Sequence, residues 1–183
     1  MAIGILKPDL SENSWIQAKF KNVREFLYIK LTSPEPWPKN MPTPVVAVQT
    51  NFDIGLPDYW ICGPLIMVSS KLKSILEVHK AEVEFLPAQI HCRGRSVGGN
   101  HCVHFLKVID CIDATRTVAS MQDGRFEDIE KLALDESRTQ DSPLFVVDRT
   151  SRRIVCADSK LASHLREAKL SGVQLLSAGE WKW

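Results

Sequence analysis

EVEFLPAQIHCRGRSVGGNHCVHFLKVIDCID, residues 82–113, is the stretch of sequence that decides the fold. Residues 82–87 and 105–113 both have the apolar content of strands. Residues 105–109 also place apolar side chains on both faces, which is typical of a strand in the middle of a sheet. Gly98-Gly99-Asn100 supplies the permissive backbone that a tight turn needs. We therefore predict a long β-hairpin at the centre of the sheet.

Two other segments each predict a strand, a helix and a second strand, in the same order. In the first, Ser69 is a good N-cap for a helix with one apolar face. In the second, Asp158 is the N-cap and Gly172 is a candidate for the end of the helix. Both helices begin with Ser-Lys-Leu, at 70–72 and 159–161. Either this is an internal repeat, or the short match arises by chance.

These elements predict one domain over residues 1–183 of the α+β class. Its sheet is mixed but mainly antiparallel, with the long hairpin at its centre and a few short helices packed on it. Residues 33–44 contain half of the ten prolines and are predicted to form an extended surface connection. That connection could also be a semi-rigid arm that presents Trp37 to a partner.

The composition is that of an ordinary globular protein. The 183 residues are 44% hydrophobic and 25% charged, and the formal net charge is +1, so nothing predicts direct binding of nucleic acid. No apolar run is long enough to span a membrane. The absence of a secretory signal and the odd number of cysteines, five, predict reduced thiols in the cytoplasm.

Histidine and cysteine are concentrated at His91-Cys92 and at residues 101–104, where they could converge across the hairpin. Both residue types bind zinc, and a Cys–His pair can act as a nucleophile. The spacing matches no common zinc motif, however, and Cys102 and His104 share one strand face while His101 points away. We therefore predict no metal, cofactor or catalytic site, with a small metal-dependent or Cys/His hydrolase using the His91–His104 cluster as the alternative.

Residues 93–99, Arg-Gly-Arg-Ser-Val-Gly-Gly, have some likeness to a phosphate-binding loop. They lack the lysine and serine ending of a P-loop and are predicted to lead into a strand rather than a helix. The segment is better explained as the basic end of a hairpin. Arg93 and Arg95 are kept as candidate partner-binding residues.

The clearest charge asymmetry lies between Gln122 and Glu136, where six carboxylates face only Arg125 and Lys131. Phe126, Ile129 and Leu132 recur at helical spacing, which predicts a helix with an acidic, solvated face. Such a surface suits a cationic partner. The predicted partner-binding residues are therefore Trp37, Arg93, Arg95 and, in this segment, Asp123, Glu127, Asp128 and Glu130.

Several short phrases occur in an order that resembles immunity-protein family eleven of bacterial polymorphic toxin systems, once listed as a domain of unknown function. They begin with Leu56-Pro57-Asp58 and Val68-Ser69 and end with Leu170-Ser171-Gly172-Val173. Between these come Glu84-Phe85-Leu86-Pro87, Val108-Ile109-Asp110-Cys111-Ile112-Asp113, Leu134-Asp135-Glu136 and Leu144-Phe145. The phrases are short and spread over about two thirds of the chain, from residue 56 onward.

The resemblance implies a non-enzymatic protein that binds one cognate toxin domain and neutralises it. Such toxins are frequently nucleases, and some are delivered by type VI secretion. A cytoplasmic chain fits a toxin that acts on nucleic acid, and we expect a one-to-one complex. The remaining alternative is a general protein–protein adaptor unrelated to toxins.

Overall fold

The structure, a computed structural model, describes residues 3–9, 16–26, 33–49, 55–139, 142–150 and 153–181. This part of the chain is mainly β, with 44% strand, 16% helical residues, two α-helices and four sheets. The predicted α+β class is therefore wrong. Several segments that lack clear strand alternation form short strands here because they pair with partners far away in sequence.

The two helices are α1, Ser70–Val78, and α2, Ser159–Glu167. Short 3-10 turns occupy Val23–Phe26 and Glu136–Thr139. The strands in chain order are β1 Gly4–Pro8, β2 Gln17–Phe20, β3 Val45–Gln49, β4 Tyr59–Cys62, β5 Leu65–Ser69, β6 Val83–Pro87, β7 Gln89–Cys92, β8 Arg95–Val97, β9 Asn100–Phe105, β10 Val108–Ile109, β11 Val118–Gln122, β12 Arg125–Lys131, β13 Leu144–Val147, β14 Val155–Ala157 and β15 Val173–Leu176.

The strands form three larger sheets and one separate hairpin. Sheet I has the order β10-β13-β14-β1-β15, sheet II the order β4-β5-β9-β6, and sheet III the order β2-β3-β7-β8. Strands β11 and β12 pair only with each other among the described strands. The pairs β10–β13 and β3–β7 are parallel, and every other pair of neighbouring strands in the described residues is antiparallel.

The first strand–helix–strand unit, β5–α1–β6, forms where the sequence predicts it. Ser69 is the N-cap, and its hydroxyl accepts a hydrogen bond from the Leu72 N–H at 3.2 Å. Leu72, Ile75 and Leu76 form the buried face of α1. Lys80 then adopts a left-handed conformation, with φ of 54°, and the chain returns along β6. Strands β5 and β6 both pair with β9, one on each side.

The second unit, β14–α2–β15, repeats this arrangement around β1. The Asp158 carboxylate caps α2 by accepting the Leu161 N–H at 2.7 Å, as predicted. The helix ends at Glu167 with Ala168 as its C-cap, and the left-handed residue that follows is Lys169, with φ of 48°. The prediction that Gly172 ends this helix is therefore wrong. Gly172 lies in the turn that leads into β15.

The two units share a topology as well as a sequence pattern. Strands β13-β14-β1-β15 and β4-β5-β9-β6 have the same order, and in each unit the central strand comes from elsewhere in the chain. Aligning Ser69 with Asp158 also superposes the two left-handed residues, Lys80 and Lys169. The shared Ser-Lys-Leu therefore coincides with a repeated fold, which supports the interpretation as an internal repeat.

One hydrophobic core joins the two units. It contains buried residues of both helices and of sheets I and II, among them Leu6, Tyr59, Leu72 and Leu161. Lys71 of α1 donates to the Ala168 carbonyl at the end of α2 at 2.7 Å. A ring nitrogen of His79 lies 3.0 Å from one of His164, so the helices also meet through polar contacts.

The outer faces of sheets I and II are covered by different elements. Sheet III packs on sheet II through a second apolar cluster that includes Val46, Met67 and Ile90. The β11–β12 hairpin packs on sheet I through a third cluster that includes Phe126 and Phe145. The central strands β9 and β1 are thus buried on both faces.

The predicted long hairpin is only partly correct. Strand β6 does pair with β9, with Val83 opposite Phe105, so the two ends of the segment meet. A second hairpin, β7–β8, lies between them and belongs to sheet III. Beyond Phe105 the chain leaves sheet II, because Val108–Ile109 pairs in parallel with β13 of sheet I. Residues 105–113 are therefore not a single strand.

Candidate partner-binding surface

Strands β11 and β12 form a hairpin of residues 118–131, which we call the acidic hairpin. Its turn consists of Asp123 and Gly124, both left-handed, with φ of 50° and 76°. Two consecutive positive φ angles define a type I′ turn, for which Asp-Gly is a favoured sequence. Gln122 and Arg125 face each other directly beside the turn. The helix predicted for this segment is therefore wrong.

A bulge in β12 explains why the segment has helical spacing. Ser120 pairs with Glu127 and Val118 with Lys131, so four steps along β12 match two steps along β11. Asp128 lies in the bulge with φ of 42°, a conformation that Asp tolerates better than most residues. The extra residues turn both Phe126 and Ile129 toward the core, although they are three positions apart.

The acidic hairpin is fixed to the body of the protein along the outer edge of β12. The Phe126 N–H donates to the Arg149 carbonyl at 2.7 Å. The Arg149 guanidinium lies over the Phe126 ring, 5.4 Å from its centroid, and its Nε donates to the Gly124 carbonyl at 3.3 Å. Phe126 itself is buried. These contacts hold the hairpin in one orientation relative to sheet I.

The four predicted acidic residues lie along this one hairpin. Asp123, Asp128 and Glu130 are exposed, and Glu127 is half-buried. Asp128 accepts a long hydrogen bond from the Ser120 hydroxyl, at 3.4 Å. The hairpin therefore presents three exposed carboxylates to solvent, where another macromolecule could contact them.

Two exposed apolar residues on β11 were missed by the sequence reasoning. Val118 is 50% exposed and Met121 is 52% exposed, although both lie in a strand. The signal that could have revealed them is the pair Asp123-Gly124, which marks a hairpin turn between Met121 and Phe126. If the segment is predicted as a hairpin, β11 becomes its outer strand, and Val118 and Met121 are expected to be exposed to solvent.

Trp37 lies in the proline-rich segment, which packs on sheet II. Its ring stacks on that of His104 with 4.4 Å between centroids and an angle of 14° between planes. Its backbone N–H donates to the Glu84 carboxylate at 2.8 Å, and a ring nitrogen of His104 lies 2.8 Å from the Glu35 carbonyl. Trp37 is therefore half-buried, and the segment at 33–44 is held against β6 and β9.

Arg93 and Arg95 lie at the end of the β7–β8 hairpin, on the opposite side of sheet II from the helices. Arg93 and Gly94 form its two-residue turn, with φ of 49° and 78°, so this turn has the same geometry as Asp123-Gly124. Arg95 is exposed and faces Cys92 across the hairpin. The segment that resembled a phosphate loop is thus a basic hairpin turn.

The histidines and cysteines of residues 91–104 are distributed over two sheets. His91 is exposed on β7 of sheet III, whereas His101 and His104 lie on opposite faces of β9 in sheet II. Cys102 is buried on the same face of β9 as His104, and burial raises the pKa of its thiol to about 12. The thiol is therefore protonated at neutral pH, which is unfavourable for a nucleophile.

The other buried thiols behave in the same way. Burial raises the pKa of Cys62 to about 11 and that of Cys111 to about 11, and it raises the pKa of Cys156 well above its ordinary value. Among the residues that the structure describes, no group of three His, Cys, Asp or Glu side chains is placed to hold a metal ion. No helix in the same residues is long and apolar enough to cross a membrane.

A comparison with protein families identifies the class of protein to which this arrangement belongs. Residues 9–180 match the family described as Immunity protein family (Imm11). The match covers nearly the whole chain, so the protein belongs to this immunity-protein family. No curated protein sequence matches the chain. The resemblance seen in the sequence is confirmed, and it extends further toward the N-terminus than the phrases that suggested it.

Proposed function

We propose that this immunity protein binds one cognate toxin domain in the cytoplasm and neutralises it, and that the toxin is a nuclease delivered by type VI secretion. Family membership supports the role of toxin inhibitor. The proposed inhibition requires binding and no catalysis by this chain. The complex is one-to-one.

The acidic hairpin is the observation that carries the nuclease part of the proposal. A nuclease must attract phosphates, so its substrate-binding surface is cationic. The hairpin presents Asp123, Asp128 and Glu130 to solvent, and Glu127 is half-buried. Opposite charges on two partners accelerate their association and exclude wrong partners. An acidic, rigidly held hairpin on a nearly neutral protein suits this task.

The hairpin alone is too small for the whole interface. A stable and specific interface buries about 1,200–2,000 Å² in total. The remaining contacts would come from neighbouring exposed surface, and Trp37, Arg93 and Arg95 stay candidates for it. Trp37 would contribute through the part of its ring that His104 leaves uncovered. The two arginines would meet carboxylates or carbonyl oxygens of the toxin.

Charge-neutralising variants of the hairpin test this proposal. Asp→Asn at 123 and 128 keeps residues that tolerate left-handed backbone, and Glu→Gln at 127 and 130 keeps side-chain shape. We expect the fourfold variant to associate roughly ten to a hundred times more slowly with the toxin at low salt, with a weaker dependence on salt.

The matched control neutralises four exposed carboxylates elsewhere, for example Glu25, Glu77, Glu82 and Glu167 to Gln. This control should change the association rate by about twofold at most. Stopped-flow association rates at several salt concentrations give both results, and sedimentation equilibrium gives the stoichiometry. Equal slowing by both sets of substitutions would show that the hairpin has no special part in binding.

A further inference from the structure

The outer edge of β11 is an open strand edge. Beside a two-residue turn, Gln122 and Arg125 form a hydrogen-bonded pair, so the next pair, Met121 and Phe126, points its backbone groups outward. The Phe126 N–H does point outward, because it donates to the Arg149 carbonyl at 2.7 Å. By the same alternation, the N–H and C=O of Met121 and Ala119 face away from β12. In the described residues nothing pairs with them.

The composition of β11 leaves this edge unprotected. Proteins protect edge strands with charged side chains, especially lysine, or with proline. Sheet III follows this rule, since its edge strands β2 and β8 carry Lys19 and Arg95. Strand β11 reads Val-Ala-Ser-Met-Gln and carries no charge and no proline. It also exposes one apolar side chain on each face, Val118 and Met121.

The charge around the edge identifies the kind of strand that fits it. The acidic hairpin carries four carboxylates against the two cations Arg125 and Lys131. A second copy of this chain would bring the carboxylates of two β12 strands near each other, on either side of the paired β11 strands, which is unfavourable. An extended segment with basic side chains would instead meet carboxylates of β12 while its backbone pairs with β11.

We propose that the toxin binds by adding one extended, basic strand to the open edge of β11. The inference rests on the proposed function and specifies how that surface is used. The added strand forms up to four backbone hydrogen bonds, with the N–H and C=O groups of Ala119 and Met121. Val118 and Met121 cover its two faces, and the acidic side chains select for basic residues.

Two substitutions at Met121 separate backbone pairing from side-chain contact. Met121→Pro removes an outward N–H and adds bulk to the edge, but leaves the bonds to β12 intact, because the Met121–Phe126 pair does not use them. Met121→Ala removes the side chain and keeps the N–H. The probe is a catalytically inactive form of the cognate toxin domain, and binding is measured by calorimetry.

We expect Met121→Ala to weaken binding by about tenfold at most and Met121→Pro by about a hundredfold, because proline removes one hydrogen-bond donor and its ring also hinders the neighbouring backbone hydrogen bond. Amide hydrogen exchange of the wild-type complex gives a second readout that needs no variant. The Ala119 and Met121 amides should exchange more slowly in the complex. Exchange decides the question if the proline variant does not fold.

Four results would contradict the inference. If the wild-type chain binds the toxin but Met121→Pro binds as well as Met121→Ala, or the two amides exchange at unchanged rates, strand addition is wrong and the proposed function stands. If the free chain sediments as a dimer that Met121→Pro dissociates, a second copy occupies the edge. If the wild-type chain does not bind the toxin, the proposed function and the inference both fail.

Discussion

Asp58 and Ser171 are 113 residues apart in the sequence and are joined by three hydrogen bonds. The Asp58 carboxylate accepts from the Ser171 N–H at 2.9 Å and from its hydroxyl at 3.0 Å, while the Asp58 N–H donates to that hydroxyl at 3.1 Å. The same carboxylate accepts from the hydroxyl of Ser69, the N-cap of α1, at 2.6 Å. Asp58 therefore connects the N-terminus of α1 in one unit to the turn before β15 in the other.

This connection explains why several short phrases of the sequence occur together. Three of these phrases meet around Asp58: Leu56-Pro57-Asp58, Val68-Ser69 and Leu170-Ser171-Gly172-Val173. In the same way, Ile112 pairs with Leu134, and the Asp135 N–H donates to the Cys111 carbonyl at 2.7 Å. Residues in these phrases of the sequence thus make contacts between distant parts of the fold. They maintain the structure, and the candidate partner-binding residues lie elsewhere.

Replacing Asp58 by alanine should destabilise the protein. The substitution leaves polar groups of Ser69 and Ser171 without their acceptor, and we expect the free energy of unfolding to fall by about 1–3 kcal/mol. Asp58→Asn keeps one acceptor oxygen and should lose less. Urea denaturation followed by circular dichroism measures both. An alanine variant that unfolds at the wild-type urea concentration would show that the connection contributes no stability.

Gly172 should tolerate no side chain. Its φ is +76°, and an added Cβ would press on the Tyr59 carbonyl oxygen and lie 2.5 Å from the Pro57 Cβ. Gly172→Ala should therefore cost about 2 kcal/mol or more. Gly179 is the matched control, because a Cβ added there would meet no atom within 4 Å and its φ is not left-handed. Thermal unfolding should separate the two variants, and equal melting temperatures would refute the steric account.

The stability conferred by Asp58 should depend on pH. Burial opposes ionisation of this carboxyl, but hydrogen bonds from Ser69 and Ser171 outweigh it and lower its pKa below the ordinary value of 3.8. A carboxyl whose pKa is lower in the folded chain than in the unfolded chain stabilises the fold at any pH above its unfolded-state pKa. This stabilisation is lost as the pH falls through its folded-state pKa. The difference in unfolding free energy between wild type and Asp58→Asn should be constant above about pH 5 and shrink below about pH 4. A constant difference down to about pH 2.5 would contradict the assigned hydrogen bonds.

Phe105 and Val108 should differ in their contribution to stability. Phe105 is 5% exposed in the core shared by the two units, so Phe105→Ala should cost about 3–5 kcal/mol. Val108 is half-buried on the edge strand β10, and Val108→Ala should cost about 1 kcal/mol. Chemical denaturation of both variants tests the order. The reverse order would mean that the chain after Phe105 continues as a central strand, as the sequence alone suggested.

The local signals of the sequence were sufficient for the starts and buried faces of α1 and α2. Ser69 and Asp158 are N-caps because their short side chains reach a backbone N–H within the first turn, an interaction that depends on neighbouring residues alone. The buried faces of α1 and α2 follow from simple periodicity. The repeated strand–helix–strand order was also visible, with Ser-Lys-Leu at the start of each helix, although the sequence left open whether that match is a repeat or chance.

The acidic hairpin was misread because two signals conflicted. Phe126, Ile129 and Leu132 have helical spacing, and the bulge at Asp128 produces the same spacing in a strand. The pair Asp123-Gly124 favoured a hairpin. Such a turn forms only if the two flanking segments pair as strands, and sequence periodicity does not reveal that pairing. The stacking of Trp37 on His104 joins segments 67 residues apart, and no local pattern predicts such a contact.

Growth of bacteria that express the toxin tests the central claim most directly. The cognate toxin domain is produced in the cytoplasm, with and without this protein, and colonies are counted. We predict that the toxin alone stops growth and degrades nucleic acid, and that the wild-type chain restores growth and leaves nucleic acid intact. The account would be contradicted if the soluble, folded wild-type chain failed to restore growth.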